Sequence, residues 1–101
     1  MSKELREIIE KLVSENPDIE QISARWDPRT CEGEIWVYIP RAMSSQEDSN
    51  FQNRYTDFVN ETYGKDHDEL LTLVCPTKVP VTEPAYLLVY DKKRGVVENA
   101  L

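Results

Sequence analysis

The densest run of side chains able to hold an ion or move a proton is Asp66-His67-Asp68-Glu69. Carboxylates beside an imidazole suit a divalent cation, or a general base with a charged neighbour. Adjacent residues splay apart on a strand or loop, so at most two of the four can reach one ion, and the run reads as a solvated connector. His67 is the single imidazole of the chain, so any Ser-His-Asp or Cys-His mechanism has to run through it. Cys31 and Cys75 form no Cys-x-x-Cys pair, and with one histidine they make no zinc site unless carboxylates complete it. Cys31 stands in a turn among acids and Cys75 closes an apolar strand, two settings that do not favour a thiolate. The expectation is therefore no catalytic residue, no metal ligand and no cofactor. The alternative is a small or degenerate enzyme-like domain that holds a divalent ion through Glu32, Glu34 and the Asp66–Glu69 cluster. Lys92-Lys93-Arg94, the only basic cluster, reads as an exposed turn, with docking of an acidic segment or a phosphate as its functional reading.

Around these residues the hydrophobic pattern marks out the elements. Leu5, Ile8, Ile9, Leu12 and Val13 recur at helical spacing over residues 3–15, with Ser2 as N-cap and Asn16-Pro17 as the stop. Residues 19–27 alternate, Ile22, Ala24 and Trp26 on one side and Ser23, Arg25 and Asp27 on the other, as a half-buried strand does. A turn over 27–33 leads into a second strand, Glu34–Ile39, ended by Pro40. Ser44 to Asp48 carries capping-box spacing for a second helix whose inward stripe is Phe51, Tyr55, Phe58 and Val59, with Thr62 as a further candidate and Gly64 as its stop. Residues 70–75 and 85–90 read as two further strands. The proline-spaced segment 76–84 between them is expected to be extended and stiff. The tail from Asp91 to Val97 is either a turn into a short fifth strand or a frayed end.

The fold class that follows is α+β, a single domain over 1–101. Two helices pack on one face of a four-stranded, mainly antiparallel sheet in the order α-β-β-α-β-β. This order of elements is similar to the core of minimal nucleotidyltransferases, but the motifs of that family are missing. Where a Gly-Ser element and an Asp-x-Asp pair would stand, this chain has Ala24-Arg25-Trp26-Asp27, and Glu34 followed at i+2 by Trp36. Metal-bound triphosphate chemistry thus has no ligands here.

Charge narrows the partners. The 101 residues carry a formal net charge of −7, a balance that argues against nucleic acid and anionic membranes and suits a soluble protein or one that meets a basic partner. The charged N-terminus has no apolar signal region and no apolar run is long enough to span a bilayer, so the expected compartment is the cytoplasm, with both thiols reduced.

One feature points toward function. Three of the strands are apolar on both sides, while each helix offers a single apolar stripe and so covers one face of the sheet. With the aliphatic side under the helices, Trp36, Tyr38, Tyr86 and Tyr90 line the open side. Aromatic enrichment of this kind marks interface cores. The chain is therefore expected to be a non-enzymatic interaction module that meets a protein partner or itself, a homodimer above all, through that face. The competing structural reading is that Val96, Val97, Leu101 and the 76–84 segment fold back over it.

Overall fold

The computed structural model describes residues 1–27, 29, 32–64 and 72–97. The Asp66–Glu69 run, Cys31 and the tail beyond Val97 lie outside the described residues. Helix α1 spans Lys3–Glu15 and buries Leu5, Ile8, Ile9 and Leu12, the stripe that its periodicity dictates. The Ser2 hydroxyl accepts from the Leu5 N–H at 3.3 Å, and the Asn16 N–H donates back to the Leu12 carbonyl before Pro17 ends the helix.

Strands β1 (Gln21–Asp27) and β2 (Glu32–Tyr38) form an antiparallel hairpin that sets Ile22 opposite Val37, Ala24 opposite Ile35 and Trp26 opposite Gly33. Only glycine fits at 33. Its φ is 156°, and an added Cβ would lie 1.9 Å from the Arg25 carbonyl oxygen. Helix α2 (Ser45–Tyr63), capped by Ser44, carries the chain back across the sheet to β3 (Thr72–Thr77). Strands β4 (Leu87–Asp91) and β5 (Gly95–Val96) follow.

The sheet has five strands in the order β3-β2-β1-β4-β5, with β3 parallel to β2 and the other pairs antiparallel. The expectation of a four-stranded, mainly antiparallel sheet is corrected in two details. The helical crossover returns the chain to the end where β2 began, so β3 runs parallel, and the tail after Asp91 does form a short fifth strand. Strand β3 also continues through Pro76 where the sequence reading ended it at Cys75. An edge strand tolerates proline where the missing N–H points outward.

The core fills the space between the two helices and one sheet face. Ile22, Ala24, Trp26, Ile35, Val37, Val74 and Val89 meet the α1 stripe and Phe51, Tyr55 and Val59 of α2. Tyr90 joins them and is only 8% exposed, a correction to its expected place on the open side. The β1–β4 register shifts between Ile22 and Ser23. This bulge breaks the strict alternation of β4 and turns both Val89 and Tyr90 inward.

Polar side chains fasten the layers. The Tyr55 hydroxyl donates to Glu15 at 2.7 Å and accepts from the Asn16 amide at 2.8 Å, joining α2 to the end of α1. Along the free edge of β3, the Thr56 hydroxyl accepts from the Val74 N–H at 3.0 Å and donates to the Val74 carbonyl at 3.4 Å. One turn later the Asn60 amide donates to the Thr72 carbonyl at 2.8 Å and accepts from the Thr72 N–H at 3.1 Å. With Pro76 next along, no outward N–H from Thr72 to Pro76 is left for an incoming strand. The edge is closed.

Candidate functional site: the open sheet face

The register that points one set of side chains at the helices points the alternate set away from them. Across β3, β2, β1 and β4 the outward residues fall into rows. Cys75, Trp36, Ser23 and Leu88 form the central one. Leu73, Glu34 and Arg25 flank it on one side, and Thr77, Tyr38, Gln21 and Asp91 on the other. The central row is apolar apart from Ser23, whose 6% exposure reflects the larger side chains of Trp36 and Leu88 on either side.

Trp36, Tyr38 and Tyr86 are half-buried on this face, so three of the four aromatic residues read from the sequence stand where expected and Tyr90 does not. Trp36 and Tyr86 meet at one end. There, with Thr77 and residues 79–83, they enclose a groove of about 220 Å³. The proline-spaced segment thus walls one side of the face without sealing it. The described part of the tail turns the other way, with Val96 packed against the core. Leu73, the β3 neighbour of Glu34, is 40% exposed and leaves the edge of the face beside that row open to solvent.

Sequence reasoning missed the polar cluster at this end. The Tyr86 hydroxyl donates a hydrogen bond to Glu34. Arg25, the cross-strand partner of Glu34, reaches the same carboxylate at 3.4 Å and lies 5.8 Å from the centre of the Tyr86 ring. The signal was present, because Arg25 and Glu34 are placed symmetrically about the hairpin turn, but it is legible only once the register is known. The hydrogen bond from Tyr86 holds the Glu34 carboxyl below the usual range, with the Trp36 indole and Arg25 adding to it and burial opposing it. The same bond, with burial and the Glu34 charge, raises the Tyr86 phenol. At neutral pH the pair is a carboxylate and a neutral phenol.

Cys75 is a free, half-buried thiol beside Trp36, and burial, then Glu34 and Asp48, push its pKa up, away from nucleophilic use. Glu34 is engaged by Tyr86 and Arg25, and among the described residues no three His, Cys, Asp or Glu side chains stand together as a metal site. The basic cluster is the exposed β4–β5 turn, in which the Asp91 carboxylate accepts from the Lys93 N–H at 2.8 Å. Among the described residues no helix is long and apolar enough to cross a membrane.

The chain matches no family model, and comparison with curated proteins and with solved structures returns no match.

Proposed function

We propose that this chain is a non-enzymatic protein-interaction module that self-associates through the open face of its sheet. The observation that supports it most is the apolar central row, Cys75-Trp36-Ser23-Leu88, which runs across four strands on the side that neither α1 nor α2 covers. Fully burying an exposed aromatic side chain contributes about 1.5–3 kcal/mol, and Trp36, Tyr38 and Tyr86, already half-buried, each retain about half of that to set against the cost of association. Closure of the β3 edge by Thr56, Asn60 and Pro76 favours docking on the face over strand addition. A module of this type suits a regulatory, adaptor or chaperone-like role.

Light scattering coupled to size exclusion, from about 10 μM to about 1 mM protein, tests the reading. Each copy carries the same −7 charge, so association is expected to strengthen as salt rises to about 0.5 M and screens the repulsion. The Trp36→Ala/Tyr86→Ala variant is expected to stay monomeric while keeping the circular dichroism of the parent. A parent that remains monomeric throughout, or a variant that no longer folds, ends the reading.

A further inference from the structure

The groove at the Trp36–Tyr86 end of the face is built differently from the apolar row beside it. Among the described residues its lining holds two aromatic rings, Pro80 and the acidic residue Glu83, and no lysine or arginine. At about 220 Å³ it falls below the range of pockets that enclose a small-molecule ligand, roughly 300–1,000 Å³, and has room for one long side chain.

Its electrostatics select the kind of side chain. A phenol that donates its proton toward a carboxylate gathers electron density in its ring, and the Tyr86–Glu34 hydrogen bond does this to one wall of the groove. The enriched face of an aromatic ring attracts a cation, a planar guanidinium best of all. The molecule already contains an instance of this contact, because Arg25 of the neighbouring strand lies over the Tyr86 ring. Glu83 is an acidic residue of the lining, and the −7 net charge draws basic proteins toward the surface.

We infer that this groove takes an arginine side chain from a basic partner protein, held between the Trp36 and Tyr86 rings and paired with Glu83. The inference rests on the reading of the open face as an interaction surface and gives that face a second, cationic partner. The guanidinium lies against the aromatic walls and its N–H groups donate to the Glu83 carboxylate, while the apolar row next to it takes the flanking residues of the segment.

Titration of isotopically labelled protein at about 50 μM with a glycine-serine peptide carrying two arginines tests this, read by backbone and indole amide shifts. A control peptide carries citrulline, the neutral isostere, at both positions. The arginine peptide is expected to shift the Trp36 indole, Tyr86 and residues 79–83 together, and the citrulline peptide to bind about fivefold more weakly. Glu83→Gln is expected to weaken arginine binding by a similar factor. Tyr86→Phe, which keeps the ring and loses the bond to Glu34, is expected to weaken it about twofold. Equal binding of both peptides at Trp36 overturns the cation inference and leaves the open face as an interaction surface. Arginine-peptide shifts confined to other acidic parts of the molecule, or no shifts with either peptide, also overturn it, while self-association is read separately by light scattering.

Discussion

Trp26 lies on the helix-covered side of β1, 6% exposed and opposite Gly33, whereas Trp36 lies half-buried on the open side of β2 against the 79–83 wall. The two rings belong to one hairpin and differ in what the rest of the chain brings to them. Trp26 is buried so completely that its indole N–H finds no hydrogen-bond partner among the described residues, a cost that the burial of so large a ring offsets. Trp36 keeps contact with water. The difference teaches that α1 and α2 complete one face of the sheet, and that among the described residues the other is finished by its own outward side chains, one carboxylate–guanidinium pair and a loop.

If that contrast is right, substitutions on the two faces should separate stability from association. Ile35→Ala, in the covered core, is expected to lower unfolding stability by about 2–5 kcal/mol in urea denaturation, without changing the mode of association of the molecules that stay folded. Thr56→Val keeps the shape of α2 but strips Val74 of both side-chain bonds. It is expected to cost about 1–3 kcal/mol and to reopen the β3 edge, seen as new association that survives loss of Trp36. Tyr86→Phe removes a single bond on the open face, with an expected cost of about 0.5–1.5 kcal/mol. A loss as large as that of Ile35→Ala would place Tyr86 in the core and break the comparison.

The smallest effect is electrostatic. Tyr86 holds Glu34, and Tyr55 holds Glu15, below the ordinary carboxyl value. Their stabilising contributions are therefore complete above about pH 4.5 and are lost as pH falls through the lowered folded-state values. Tyr55→Phe is expected to flatten the part of this acid-side loss that arises at the α1–α2 contact, and Tyr86→Phe the part at the open face. Thermal unfolding midpoints between about pH 3 and pH 6 measure both.

Most of the architecture is legible from the residues because it is carried by repeating apolar patterns. The stripe from Leu5 to Val13 and the alternation Ile22, Ala24, Trp26 specify α1 and β1 with little help from the rest of the chain. What stays hidden depends on partners distant in sequence. The direction of β3 follows from the path of α2 across the sheet, and nothing in the run Ala85-Tyr86-Leu87-Leu88-Val89-Tyr90 announces the bulge that turns Tyr90 inward. Thr56 and Asn60 lie beside the apolar stripe of α2, where a pattern of hydrophobic positions passes over them, and only the backbone of β3 gives them a role. The aromatic face could be read because two-sided strands outnumber the available cover. The Arg25–Glu34–Tyr86 cluster required the strand register.

The central claim is that the Trp36 side of the sheet meets a second copy and the Trp26 side does not. The most direct measurement follows the two indole N–H signals as protein concentration rises from about 20 μM to about 1 mM. The account predicts that the Trp36 signal moves with concentration and stops moving in Tyr86→Ala, while the Trp26 signal stays in place. Two stationary signals, or a Trp26 signal that moves as far as that of Trp36, would contradict it.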